Sequence, residues 1–370
     1  MQIGCPTEVK AQEFRVGLTP NAAREAVAQG HDVLIQSGAG LGAGFEDADY
    51  TAAGARIVPG AEEVFAEAEM IVKVKEPQPA ERAMLREGQL LFTYLHLAPD
   101  PGQTEDLLRS GATCIAYETI EDKQGRLPLL TPMSEVAGRM AIQQGAKYLE
   151  MPMKGRGILL GGVPGVEPAH VGVLGGGVVG ANAARIAAGT GANVFILDID
   201  LDRLRYLDEI MPENVTTLYS TNYSIADQAR KADLLVGAVL TTGARAPVLV
   251  PRALLAEMKN GSVIVDVAVD QGGAIETTRP TTHEEPTYVV DGVVHYCVAN
   301  MPGAVGRTST FALTNATLPY ARRLADQGAA AMAKADPGFA KGINVIGGKI
   351  TYQQVAEAFE MDYTPLSDVL

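Results

Sequence analysis

Residues Val171 to Asp198 leave this chain little choice of fold. They read Val171-Gly172-Val173-Leu174, then Gly175-Gly176-Gly177-Val178-Val179-Gly180, then a run of mostly small residues from Ala181 to Ala188, then Val194-Phe195-Ile196-Leu197-Asp198. An apolar strand, a glycine turn, a helix of small residues and a second strand ending in a carboxylate make the opening unit of a parallel α/β sheet. Each part suits a dinucleotide. Gly175 accommodates the tight turn, and Gly177 has no Cβ to hold a pyrophosphate away from the backbone. Gly180 lets the helix lie close to the sheet, while the free N–H groups at the helix start face the phosphates. Asp198, about twenty residues after the glycines, accepts from both hydroxyls of an adenosine ribose and repels a 2′-phosphate, which selects NAD over NADP.

The pattern extends on both sides. Upstream, Ile3 to Thr7, Val33 to Ile35, Met70 to Lys75, Leu90 to Leu95 and Thr113 to Tyr117 are short apolar runs expected as strands. Thr19-Pro20 opens a helix, with Thr as N-cap and Pro at the first helical position. A helix is expected from Glu135 to Leu149. Downstream, Val215 to Tyr219, Ala232 to Val239, Ser262 to Ala268 and His295 to Val298 continue the sheet begun at Val171, and a helix over Ser309 to Gln327 opens the last segment. Strands alternating with helices imply parallel sheets. With 370 residues there is material for two cores. The expected divisions are 1–128, a first α/β part, 129–305, the nucleotide domain, and 306–370, a segment returning to the first part.

A net charge of −14 disfavours nucleic acid as a partner. Cys5, Cys114 and Cys297 are far apart and lack metal-ligand or redox-pair spacing, so buried free thiols in a reducing compartment are expected. No basic segment with a long apolar run opens the chain, and no apolar run reaches the ~20 residues of a membrane helix. The expectation is a soluble, cytoplasmic protein.

Ligands of parallel sheets sit beyond the carboxyl ends of the strands. Arg15 follows the first strand, and its planar fork matches a carboxylate; a surface arginine is the competing reading. Lys75 closes the Ile71-Val72-Lys73-Val74 run and suits either an oxygen-binding cation or a snorkelling strand-end lysine. His96 follows Leu90 to Leu95, where an imidazole suits either general acid–base work or a structural role. Asp270, just past the fifth strand of the second sheet, fits a ribose contact, proton transfer or a turn cap. The other histidines, His31, His170, His283 and His295, are expected to be structural. No cluster has metal-ligand spacing, and no metal is expected.

Taken together, these residues resemble the alanine dehydrogenase family, which is related to the NAD(H)-binding part of proton-translocating transhydrogenase. The likeness spans essentially the whole chain. It is carried by Gly4-Cys5-Pro6-Thr7-Glu8, Glu13-Phe14-Arg15-Val16-Gly17-Leu18-Thr19-Pro20, Val74-Lys75-Glu76-Pro77 and Phe92-Thr93-Tyr94-Leu95-His96-Leu97-Ala98. Further matches are Pro132-Met133-Ser134-Glu135-Val136-Ala137-Gly138, the glycine turn, Asp266 to Gly273 and Asn300-Met301-Pro302-Gly303-Ala304-Val305. The resemblance implies two Rossmann-like domains, a doubly wound NAD-binding domain inserted into a discontinuous α/β substrate domain. It implies NAD-dependent oxidative deamination of L-alanine to pyruvate and ammonium, performed by a homohexamer. It gives Arg15 and Lys75 the substrate, and His96 and Asp270 the catalytic positions. The cofactor falls to Ser134, Gly175, Gly177, Val178, Val179, Gly180, Asp198, Arg203, Ser220, Val239, Leu240, Val267, Ala268, Val269, Asp270, Val298, Ala299, Asn300 and Met301. Arg203 stands where some relatives carry Lys. Arg323 and Gln327 stand where some carry Glu and His, so no metal site is implied. A transhydrogenase subunit and a lysine- or saccharopine-type dehydrogenase are the alternatives.

Overall fold

The computed structural model describes residues 1–239, 247–269 and 272–370. Among them the strands, in chain order, are β1 (Gln2–Cys5), β2 (Asp32–Gln36), β3 (Arg56–Val58), β4 (Met70–Val72), β5 (Leu90–Thr93) and β6 (Thr113–Ala116). Then come β7 (His170–Leu174), β8 (Asn193–Asp198), β9 (Val215–Tyr219), β10 (Leu234–Gly237), β11 (Val263–Asp266), β12 (Thr287–Val290) and β13 (Val293–Tyr296), followed by β14 (Ile343–Ile346) and β15 (Lys349–Ile350). The chain forms two compact units, one from Met1–Met133 with Gly303–Leu370 and one from Ser134–Pro302.

The first unit's sheet has the order β3-β2-β1-β4-β5-β6-β14-β15, parallel from β3 to β6 and antiparallel at β14 and β15. The second unit's sheet runs β9-β8-β7-β10-β11-β13-β12, parallel except for β12. Each begins at its centre, winds outward one way, then crosses back and winds the other way. The strand order therefore reverses between β1 and β4, and again between β7 and β10. A doubly wound sheet opens a ligand crevice beyond the carboxyl ends at such a reversal.

The central strands are buried on both faces. Every residue of β4, β5, β10 and β11 is buried, which is why they read as unbroken apolar runs without alternation. One core gathers Val64, Phe65, Ile71, Leu91 and Leu107, and the other gathers Leu174, Leu197, Leu235, Leu255 and Ile264. Cys5, Cys114 and Cys297 are buried free thiols, and burial pushes each up to about 12. Among the described residues, no helix is long and apolar enough to cross a membrane.

Local signals hold where backbone chemistry is strong. Thr19 Oγ1 caps the helix Pro20–Ala28 by accepting from Ala22 N–H at 3.1 Å. The helix Gly306–Ala335 changes direction at Gly328 (φ +76°), one residue past the expected end at Gln327. The helix expected from Glu135 starts earlier, at Thr131, and ends at Tyr148. His295 lies inside β13 rather than at a strand start, with its ring nitrogens on Thr277 Oγ1 and the Val293 carbonyl.

Candidate functional site

Arg15, Lys75 and His96 follow β1, β4 and β5, three adjacent parallel strands, so all three emerge at one end of the first sheet, at its reversal point. None of them lies in a regular element, and a loop backbone needs other groups to fix it. Three carboxylates do so. Glu13 Oε1 accepts from Arg15 N–H at 3.0 Å, Glu8 Oε2 from Lys75 N–H at 3.3 Å, and Glu118 Oε1 from His96 N–H at 2.6 Å.

The surface reading of Arg15 fails, for the residue is only 3% exposed. Its Nε donates to Glu13 Oε1 at 2.6 Å, its Nη2 to Glu13 Oε2, and its Nη1 to Met133 Sδ at 3.1 Å. Burial works against the guanidinium charge, but the Glu13 carboxylate outweighs it and the net displacement is upward. The cation is thus locked in place. Lys73, the first residue past β4, is fully buried between Glu8 and Glu81, and Glu8 Oε1 also takes the Val74 N–H at 2.7 Å. Lys75 is partly exposed, with Nζ 3.9 Å from Glu76 Oε2. Burial raises the Glu76 carboxyl, yet Lys75, Lys10 and His96 together bring it below the usual carboxylate range.

His96 takes φ +48°, unusual for a residue with a side chain. Its ring stacks on Tyr94 at 5.7 Å with a 6° interplanar angle, and its Nδ1 lies 3.8 Å from Glu118 Oε1. Tyr94 is itself buried, with its hydroxyl donating to the Leu129 carbonyl. Glu8, Glu13, Tyr94 and Met133 stood in matching motifs without a site role, and Glu118 escaped the reading of the sequence altogether. Glu118 was within reach of the rule that singled out His96, since it follows the carboxyl end of β6.

In the second unit, Gly175 has φ +100°, a conformation that L side chains rarely adopt, and an added Cβ would lie 2.8 Å from the Ala238 carbonyl. An added Cβ on Gly177 would meet nothing within 4 Å, so the space above it is open. Gly177 is also the N-cap of the helix Val178–Gly189 and offers no side-chain cap, which leaves the first N–H groups for an anion. Asp198 Oδ2 accepts from Gly176 N–H at 2.6 Å and Oδ1 from Asp200 N–H at 2.9 Å. Each carboxylate oxygen keeps a second lone pair for a ribose hydroxyl. Arg203 Nε donates to the Gly176 carbonyl at 2.6 Å and so ties the turn to the next helix. Ser220 follows β9 and donates its N–H to the Asp198 carbonyl. These residues fit a dinucleotide.

Val267, Ala268 and Val269 follow β11, whose last residue, Asp266, is buried. Burial pushes the Asp266 carboxyl up, while Thr278 Oγ1 and the N–H groups of Ala268 and Ala274 oppose that by donating to it at 2.7, 3.0 and 3.0 Å. The carboxylate is the hub of the loop. Thr278→Val should therefore cost about 1–3 kcal/mol in a urea melt, the range for a lost hydrogen bond to a buried charged group. Val298, Ala299, Asn300 and Met301 follow β13. Ala299 N–H donates to Thr281, and the Asn300 carbonyl lies 3.0 Å from His283 Nε2. Val239 follows β10, across the reversal point from the glycine turn, and Ser134 lies in the first turn of the helix Thr131–Tyr148. Leu240 and Asp270 lie outside the described residues. Among the described residues, no group of three or more His, Cys, Asp or Glu is placed to hold a metal ion.

Residues 4–137 match the alanine dehydrogenase/PNT N-terminal domain, and residues 141–353 match its C-terminal domain. The alanine dehydrogenase of Halomonas elongata is 58% identical over 370 residues, covering all of both chains. A solved L-alanine dehydrogenase is 54% identical and superposes with a TM-score of 0.94, covering 97% of this chain and 99% of its own. The transhydrogenase from Sinorhizobium meliloti shares the fold at 23% identity, with a TM-score of 0.80 over 95% of this chain and 99% of its own. On this full-length likeness, the chain belongs to the alanine dehydrogenase/PNT family.

Proposed function

We propose that the chain catalyses the reversible, NAD-dependent oxidative deamination of L-alanine to pyruvate and ammonium. The observation that carries this reading is the buried Arg15 fork at the same sheet end as Lys75 and His96, in a chain 58% identical throughout to an alanine dehydrogenase. The segments 1–128 and 306–370 hold the amino acid in this reading, and 129–305 holds NAD. When bound, NAD supplies the acceptor for the hydride that leaves the substrate Cα.

This chain's residues do the rest. Arg15, fixed by Glu13, binds the substrate carboxylate and orients Cα. Loss of the hydride leaves an iminium on the substrate, and His96 takes a proton from the water that attacks it. The same imidazole returns that proton to nitrogen and then takes the hydroxyl proton as the carbinolamine expels ammonia and the carbonyl forms. Lys75 stabilises charge developing on the substrate oxygen, and Asp270 is the second catalytic position. On the cofactor side, Gly175, Gly177 and the N–H groups of Val178, Val179 and Gly180 hold the pyrophosphate, and Asp198 holds the ribose. Arg203, bonded to the Gly176 carbonyl, and Ser220, bonded to the Asp198 carbonyl, contact the cofactor beside it. Ser134, Val239, Leu240, Val267, Ala268, Val269, Val298, Ala299, Asn300 and Met301 complete the contacts.

NAD reduction assayed with alanine, lysine and saccharopine tests the reading. Alanine alone should support turnover, and turnover only with a larger amino acid, or with none, would overturn it. Arg15→Lys keeps the charge but loses the fork, so KM for alanine should rise roughly tenfold or more. The active species is expected to be a cytoplasmic homohexamer, which light scattering in solution would test.

A further inference from the structure

We propose that Glu118 is the positioning residue of His96: its carboxylate fixes the left-handed backbone there and turns Nδ1 inward, leaving Nε2 as the nitrogen that exchanges protons. This rests on the acid–base reading of His96. Glu118 Oε1 accepts from His96 N–H at 2.6 Å and from Leu95 N–H at 3.1 Å, with Oε2 3.3 Å from the latter. Those two amides lie just beyond the end of β5, where no strand partners them. A residue with a side chain at φ +48° persists only when its surroundings impose that conformation, and two charge-assisted bonds to successive amides do so. The same oxygen lies 3.8 Å from Nδ1, and Tyr94 flanks one ring face. A carboxylate beside one imidazole nitrogen sets the tautomer and favours the imidazolium formed when the other nitrogen takes a proton.

The carboxylate's role is separable from its packing. Glu118→Gln keeps an oxygen for the amides but removes the charge. Glu118 after β6 lies beside Nδ1, and Glu76 after β4, paired with Lys75 and Lys10, also interacts with the ring. Both Glu76 and Lys75 are unchanged in the variant. In Glu118→Gln the deamination kcat should fall by roughly 10- to 100-fold, with KM for alanine and NADH affinity held. Glu118→Asp, which restores the charge, should return kcat toward the parent value, and it serves as the test if the glutamine variant does not fold. His96→Gln is the control. If His96→Gln turns over like the parent, the acid–base reading itself falls. If His96→Gln is inactive while Glu118→Gln keeps the parent kcat, the Glu118 inference alone falls. Equal losses in kcat, substrate binding and melting temperature, with no rescue of kcat by Glu118→Asp, would also overturn it.

Discussion

His96→Ala should lower alanine-dependent NAD reduction by roughly 10²- to 10⁴-fold, the range a positioned acid–base contributes, while NADH binding stays within about twofold of the parent. The substitution is mild for the fold. The side chain is 43% exposed, and its backbone N–H, still held by Glu118, survives in alanine. Alanine at φ +48° retains a strain that histidine already carries, so little stability is lost. The glycine turn and Asp198 belong to the other compact unit, and the substitution does not touch their hydrogen bonds. Steady-state assay in both directions, beside fluorescence titration of NADH, reads the two quantities separately. Parent-like turnover would remove His96 from the chemistry, and joint loss of turnover and NADH affinity would mean that the residue serves the fold.

The sequence announced the two sheets because their central strands are buried on both faces, so that apolar runs such as Leu90 to Leu95 stand out. It did not announce β3, β12, β14 or β15. These are edge or antiparallel strands of two to four residues, and Arg56, Lys349 and the partly exposed Thr287–Val290 lack a continuous apolar run. Such strands exist because a neighbour's edge offers ladder bonds, and that is tertiary information. The same limit governs the site. Arg15 could be selected by its place after β1, but its burial depends on Glu13 folding back over it and on Met133, 118 residues away. Glu118 reaches His96 across 22 residues only because β5 and β6 lie side by side. Position along a strand was legible; the carboxylates that hold the loops were not.

A single glycine separates packing from ligand binding in the turn that founds the second sheet. Gly180→Ala should cost about 3 kcal/mol or more, the upper end for overpacking, and lower NADH affinity with it. An added Cβ at 180 would lie 1.8 Å from the Gly175 carbonyl oxygen and 3.2 Å from Val173 Cγ1. The helix Val178–Gly189 cannot back away, because on another side the Val179 carbonyl already sits where a Cβ on Gly138 would be, at 2.2 Å. Nor can Gly175 yield, with the Ala238 carbonyl 2.8 Å from its own Cβ direction. Two neighbouring substitutions calibrate the result. Gly177→Ala meets open space at an ordinary φ, so it should melt near the parent temperature yet bind NADH at least about tenfold more weakly, because its methyl occupies the place of the phosphates. Gly189→Ala, at the far end of the same helix and also in open space, should leave binding alone and stabilise by up to about 1 kcal/mol. If Gly177→Ala bound NADH as the parent does, the glycine turn would be a packing device and the pyrophosphate would have to lie elsewhere. If Gly180→Ala melted with the parent, the helix would not be wedged as the distances require.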